Sequence, residues 1–433
     1  MNTTRTSGKQ RSSANKKGFI YHLHPPMVTE TSIRFNRTFG LGGMALLLFT
    51  IQLVTGMVLR FAYIPSPEKA YDSILFIQHE LLLGGFIRNI HHWSGIFFVI
   101  LTFLHFVRVF FAQAIFIPRR VNWVIGIFLL LLVVLSNFTG YLLPWDQLSF
   151  WAVTVATNML SYIPLIGDWL VQVIRGGNDV GSATLLNFYN FHTGILPIIM
   201  VILMVWHFWK VRKAKGVAVP DENNEVRVPS YPNLLLKELV VGLVLIAFIC
   251  MLAAIFNAPL LDRANPAYSP NPAKAPWYFM GIQELLMHIH PFFAFIVLPL
   301  LFFGGLIWLP FKIKAGNQGL WFHSEKGKKM AIQAAVLALL FTPVAILIED
   351  FFLHFESWLP HWPKAISEGL IPFLLLCGSF FIYLVYLRRK YIPDSREIII
   401  AVFTVFTVSY IVLSVIGIWF RGESMQLNWP WLI

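Results

Sequence analysis

Long apolar runs alternate with short polar breaks along most of this chain. Nine runs, at about 38–61, 90–111, 121–143, 190–209, 235–257, 291–311, 329–350, 369–387 and 397–420, approach or exceed the length that carries a helix across a bilayer. That crossing takes roughly 20 apolar residues. Each run predicts a transmembrane helix. Two connectors, 144–189 and 258–290, are too interrupted by proline, glycine and charge to span, and they predict short helices lying on one surface. A charged stretch, 210–234, separates a first half of four runs from a second half of five. The expected fold class is therefore all-α, a polytopic membrane protein of about nine transmembrane helices with an N-terminal four-helix bundle.

Composition agrees with that reading. Hydrophobic residues make up 57% of the 433 residues and charged residues 12%, against about 25% charged in a soluble domain. A net charge of +12 does not point to nucleic acid here, because the basic residues cluster on one side. With the N-terminus placed in the cytoplasm, the segments on that side hold 24 Lys and Arg and the opposite segments hold 6, as the positive-inside rule requires. The C-terminus and both long connectors then lie outside. Residues 1–37 are polar and basic, with no apolar leader pattern. Cys250 and Cys377 sit in apolar runs and read as small core hydrophobes.

Four histidines bring in chemistry. The second run reads RNIHHWSGIFFVILTFLHFVRVF and the fourth NFYNFHTGILPIIMVILMVWHFWKVRK. An imidazole inside a membrane is costly and calls for a partner; a lone one finds a hydrogen bond on a neighbouring helix. These come in pairs. His91 and His105 are 14 residues apart, His192 and His207 are 15 apart. At about 100° per residue, the first interval ends about 40° short of its starting direction and the second about 60° past it, some 21 Å along the helix. Two such helices facing each other make two bis-imidazole stations at different depths, a donor set that suits haem iron. His92 points nearly opposite to His105 and reads as a polar span-end residue. Gly42 and Gly56 in the first run, and Gly126 and Gly140 in the third, repeat the 14-residue interval. Such glycines serve close helix packing or make room for flat macrocycles, and the shared interval favours the second reading. Arg88 and Arg108, one turn beyond the histidines, offer cations to haem propionates or snorkel as ordinary flanking charge.

With these residues in view, the chain resembles cytochrome b of the quinol:cytochrome c reductases and their plastoquinol relatives. The likeness is carried by GYLLPWDQLSFWAVTVATN (Gly140–Asn158), IPLIGDWLVQVIRGG (Ile163–Gly177), ATLLNFYNFHTGILP (Ala183–Pro197), RNIHHW and the PWYF of Pro276–Phe279, and it covers about 35–311. The 15-residue histidine interval resembles the plastid-type branch, whose two halves are separate chains; here 210–234 joins them. The resemblance implies two haems b, one held by His91 with His192 toward the outside and one by His105 with His207 toward the cytoplasm. It implies quinol oxidation in an outer pocket, with one electron going to a Rieske iron–sulfur protein and the other by way of the haems to an inner quinone pocket. Protons leave outside and are taken up inside. The implied setting is a bacterial cytoplasmic membrane, in a homodimeric complex with a c-type cytochrome subunit and membrane lipid. The implied parts are a cytoplasmic segment 1–37, a haem-binding bundle 38–210, a linker 211–234, a second domain 235–311 carrying the outer loop 258–290, and three further helices in 312–433.

The resemblance places the outer pocket among Phe138, Tyr141, Pro276, Trp277 and Tyr278. In the family motif, Pro-Glu-Trp-Tyr, a glutamate precedes the tryptophan. Pro276 stands there in this chain, so the expected proton acceptor is absent. Glu284, six residues after Tyr278, is the nearest carboxylate, and apolar surroundings would raise its pKa. Glu284, Tyr278 and Tyr141 are thus the catalytic candidates. A capping or solvent-facing Glu284 remains open, with His288 and His290 as weaker substitutes. Asp146 reads as a helix cap or a proton relay. Lys210, Arg212 and Arg34 are candidates for the inner side or plain flanking charge, and His22 and His24 read as surface residues. Gly40 stands where the plastid branch carries a haem-linking cysteine, so no covalent haem is expected. The last three runs read as packing and subunit contact, with Glu349 and Asp350 at a run end. Two other functions share parts of this pattern: a dihaem quinone-reducing anchor of a dehydrogenase, and a transporter relaying protons through its histidines.

Overall fold

The computed structural model describes residues 25–220, 225–314, 316 and 318–429; His22 and His24 lie outside the described residues. Nine helices among them have the length and hydropathy to cross a membrane: Leu41–Arg60, Gly84–Phe111, Arg120–Tyr141, Ser182–Lys213, Ser230–Ile255, Phe292–Lys312, Glu325–Phe352, Ala365–Tyr391 and Ser395–Trp419, hereafter spans one to nine. All nine correspond to the apolar runs. The ends move outward where polar residues continue the helix: span two starts at Gly84, span four at Ser182 and span five at Ser230. Spans seven and nine have built starts. Ser324 accepts from the Gly327 amide at 2.8 Å, and Asp394 forms a reciprocal capping box with Glu397. These side chains satisfy amides that have no partner within the helix.

The two long connectors carry short helices on one end of the bundle. The first holds Gln147–Asn158 and Gly167–Arg175. Asp146 caps the former by accepting from the Ser149 amide at 2.9 Å, and its other oxygen accepts from the Leu261 amide at 3.3 Å. It is a structural cap that also ties the two connectors together. The second connector holds a 3-10 turn, Trp277–Phe279, and the helix Met280–His288. At the opposite end, strand β1, Met27–Thr29, pairs antiparallel with β2, Arg227–Pro229, fastening the start of the described chain to the linker between the halves.

One apolar cluster lies midway along spans one to five: Leu48, Phe49, Phe98, Val99, Val133, Met200, Leu245 and Ile249. Its residues from spans one to four fall between the paired glycines and between the paired histidines in sequence, and span five adds Leu245 and Ile249, so the cluster fills the layer separating the two expected stations. A second, aromatic cluster knits spans two and three to spans six and nine, with Phe110 and Phe403 stacked at 3.9 Å between centroids. The cysteines depart from expectation. Both are free, Cys250 is half-buried, and Cys377 is exposed on span eight, so neither is a fully buried core residue.

Candidate functional site

Spans two and four bring His91 and His192 together, with ring centroids 6.2 Å apart and planes nearly perpendicular at 79°. The Nδ1 atom of His91 lies 2.9 Å from Thr55 Oγ1, and that of His192 lies 2.9 Å from the Ser136 carbonyl. An imidazole held through Nδ1 presents Nε2 to a metal, the usual way a protein orients a ligating histidine. Two imidazoles on opposite sides of one metal atom, at metal–nitrogen distances of about 2.0 Å, have ring centres about 6 Å apart. The observed pair fits that spacing. His105 and His207 form the second pair, close enough to interact electrostatically.

The glycines stand directly against these rings. A Cβ at Gly56 would lie 3.1 Å from His91 Cε1, at Gly42 3.2 Å from His105 Cε1, at Gly140 2.5 Å from His192 Cε1 and at Gly126 3.7 Å from His207 Cε1. Each glycine therefore serves one histidine, and the two 14-residue repeats meet as four matched pairs. The local consequence is that each imidazole can lie close against the facing helix backbone, and the donor set and this close approach both fit haem.

The unequal histidine intervals are reconciled by the backbone. Phe191–Ile195 is a π turn within span four. A π turn holds about one residue more than an α turn. The extra residue absorbs the roughly 100° mismatch between a 15- and a 14-residue interval, so both pairs can face across the bundle.

The two arginines are buried beside the stations but already have partners. Arg88 donates from Nη1 to Gln78 Oε1 and the Ala258 carbonyl, both at 2.8 Å, and from Nη2 to the Pro259 carbonyl at 2.7 Å. A propionate contact to these nitrogens would displace bonds that anchor the second connector. Arg108 donates from Nε to the Arg37 carbonyl at 2.8 Å. At the linker end, Lys210 lies over the Trp209 ring, 5.2 Å from its centroid, and Arg34 links the short turns before span one. The structure brings neither of them to a defined site.

At the connector end, Phe138 packs edge-on to Phe279 at 5.6 Å and Phe188 at 5.7 Å. Tyr278 reaches the apolar cluster between the stations, and its hydroxyl is buried with no hydrogen-bond partner among the described residues. Burial raises the Tyr278 phenol pKa, with nearby Tyr141 adding to the rise. Pro276 is buried at the start of the 3-10 turn, whereas Trp277 is partly exposed. Phe138, Tyr141 and Pro276–Phe279 thus converge on one region.

Glu284 departs from the sequence expectation. It is fully buried, but Arg421 donates to it from Nη2 at 2.6 Å and from Nε at 3.0 Å, and His288 Nε2 lies 3.3 Å away. Burial alone would raise its pKa, yet the bonds from His288 and Arg421 outweigh burial and leave it lowered. Glu284 is thus an ionised ion-pair partner, not a carboxyl poised near neutrality. His288 Nδ1 bonds Glu349, and Arg421 Nη1 reaches Asp350 at 2.9 Å. Although burial depresses the His288 pKa, the two flanking carboxylates push it up to about 9. Glu349 and Asp350, which sequence reading left to packing, and Arg421, which it did not single out, belong to this cluster. The available signal was Arg421 itself, an arginine next to a span end on the arginine-poor side. His290 is half-buried and packs edge-on against Tyr162 at 5.1 Å, away from these ion pairs.

Comparison with known proteins follows the same residues. The family model described as Cytochrome b/b6/petB matches residues 27–215. A "Cytochrome b6" from Synechococcus sp. (strain JA-3-3Ab) is 39% identical over 200 residues, 45% of this chain and 93% of that relative. One from Prochlorococcus marinus (strain MIT 9515) is 38% identical over 180 residues, 42% of this chain and 82% of its own length. A solved chain titled "Hyperthermophilic respiratory Complex III" superposes with a TM-score of 0.66 at 24% identity, covering 94% of this chain and 97% of that one. That last likeness is one of fold, and it extends through the second half.

Proposed function

The chain belongs to the cytochrome b family, and from that premise we propose that it is the dihaem subunit of a quinol-oxidising complex. Family membership carries b-type haem binding and electron transfer in quinol oxidation. The finer assignment rests on this chain's residues: His91 with His192 for one haem, His105 with His207 for the other, and glycines 42, 56, 126 and 140 clearing the space beside them. Bound haem supplies one-electron carriage between the two stations. The observation that carries the reading is the His91–His192 pair, 6.2 Å apart with Nδ1 atoms engaged.

Quinol binds, in this reading, at the connector end against Phe138, Tyr141, Pro276, Trp277 and Tyr278. The aromatic rings exclude water and orient an apolar ring system. The Tyr278 hydroxyl, without a hydrogen-bond partner among the described residues, would hydrogen-bond a quinol oxygen. With Glu284 locked to Arg421, that carboxylate positions its helix and the proton acceptor role passes away from it. One electron goes to a Rieske protein outside and the other returns to a quinone site at the linker end, with proton release outside and uptake inside. A c-type cytochrome subunit, a dimeric complex and an N-terminus in the cytoplasm of a bacterium complete the proposal. So does the division of the chain into a bundle 38–210, a linker 211–234, a second domain 235–311 and three further helices. The connector-end convergence favours this over a quinone-reducing anchor, which needs no such outer pocket.

A reduced-minus-oxidised spectrum of the purified complex tests the reading. Two b-type centres are expected, with His192→Leu losing one and keeping the other. A spectrum without a b-type band overturns the proposal.

A further inference from the structure

The end of span nine and the turn behind it close over the segment that carries Pro276–Phe279. Five contacts run along it. The Tyr410 hydroxyl donates to the Tyr278 carbonyl at 2.5 Å, and Lys274 Nζ donates to the Ile418 carbonyl at 2.9 Å. The Ser424 amide donates to Asn271 Oδ1 at 2.6 Å. A Cβ on Gly281 would come within 2.9 Å of the Tyr410 carbonyl, and one on Gly417 within 3.0 Å of Met280 Cε, so the two helices touch at glycine distance. The fifth contact is the buried ion cluster. Arg421 bridges Glu284 on the connector helix and Asp350 at the end of span seven, and His288 joins Glu284 to Glu349.

We propose that span nine, through Arg421, latches the 271–288 segment and so sets the geometry of the outer quinol pocket, which makes Arg421 a positioning residue for quinol oxidation. The inference rests on the reading of Phe138, Tyr141 and Pro276–Tyr278 as that pocket. The mechanical link is short. Glu284 lies on Met280–His288, and that helix continues directly from the turn holding Tyr278 and Phe279. Phe279 meets Phe138 and Tyr278 enters the inter-station core, so a shift of the helix moves the pocket wall. Every charged group in the cluster, three carboxylates against Arg421 and His288, has an opposite partner within it. A buried cluster of that kind is costly to break one partner at a time, which is what a latch requires. His288, Glu349 and Asp350 are close enough to one another to suggest a metal site, but Arg421 occupies Asp350 and both His288 nitrogens are engaged. The whole latch lies beyond the 27–215 matched by the family model.

The test uses the assembled complex with Arg421→Met, Arg421→Lys and Tyr410→Phe. Expected for Arg421→Met and Tyr410→Phe are faster hydrogen exchange in peptides covering 271–288 and a several-fold rise in quinol KM. The b-haem difference spectrum and the re-oxidation of reduced haem by quinone at the linker end should be unchanged, and Arg421→Lys should recover part of the KM. Wild-type exchange and KM in these variants overturn the proposal, as does equal slowing at both ends, which would mean general loss of structure. If Arg421→Met fails to accumulate, Tyr410→Phe decides. A wild-type complex that shows b haem but no quinol oxidation overturns the pocket reading instead, while the exchange data still report on the latch.

Discussion

Histidine and glycine make a graded prediction at the residue scale. A methyl group at Gly140 would sit 2.5 Å from His192 Cε1, inside any allowed contact, whereas one at Gly126 would sit at an ordinary 3.7 Å from His207 Cε1. Gly140→Ala must push the imidazole away from its bond to the Ser136 carbonyl; forced overpacking of this kind costs about 1–3 kcal/mol. Haem content measured by haemochrome spectrum should fall by about one centre in Gly140→Ala and stay whole in Gly126→Ala, which adds no clash. Equal haem in both variants would contradict the matched-pair geometry. These residues were legible in the sequence because helical periodicity alone places residues 14 apart near one face. The π turn at Phe191–Ile195 was not, since nothing in the local residue types announces an inserted residue. Arg88 shows the opposite limit: its position was readable, but its partners, Ala258 and Pro259, are about 170 residues away.

At the scale of elements, the connector helix Met280–His288 depends on charge that sequence reading could not assemble. Glu284 was visible as a lone carboxylate in an apolar stretch. Its partner, Arg421, is 137 residues distant, so burial was inferred without the cation that reverses its effect. The pH consequence follows from both shifts. The His288 pKa is raised to about 9, so its contribution to stability is full below the ordinary histidine pKa of about 6.5 and is lost as pH climbs through about 9. The Glu284 pKa is lowered, so its contribution is present above the ordinary glutamate value and disappears as pH falls through the depressed one. The groups facing His288 are Glu284 on its own helix, Glu349 and Asp350 from span seven and Arg421 behind span nine. Thermal denaturation of the complex should therefore show stability falling from about pH 6.5 and levelling off above about pH 9. Glu284→Gln should lower the plateau by about 3–5 kcal/mol, the usual cost of breaking a buried pair, and shift the alkaline fall to lower pH. A pH-independent midpoint in the wild type would remove the linkage.

The whole molecule is two halves that meet by more than the chain between them. The nine spans and the basic bias of one side could be read directly, because hydropathy and positive-inside charge act segment by segment. How the halves lock together could not, since it depends on side chains from distant spans. Asn89 in span two donates to the Ala253 carbonyl at 2.9 Å and accepts from the Ala258 amide at 2.8 Å, both in the second half. Arg88 adds two bonds to the same stretch, Trp93 donates to the Phe256 carbonyl at 2.8 Å, and the inter-station core takes Leu245 and Ile249 from span five. These bonds lie within or beside apolar spans, where an unpaired polar group costs several kcal/mol. The relatives named cytochrome b6 align with less than half of this chain, so the first half has counterparts that exist as separate polypeptides. Cutting the linker 211–234 ahead of β2 at an engineered protease site should therefore leave the two fragments together. Gel filtration in detergent after cleavage should show both fragments in one peak with the b-type difference spectrum unchanged. Fragments that part on cleavage would mean that the covalent linker, and neither the membrane interface nor the β1–β2 pairing that spans the cut, holds the halves together.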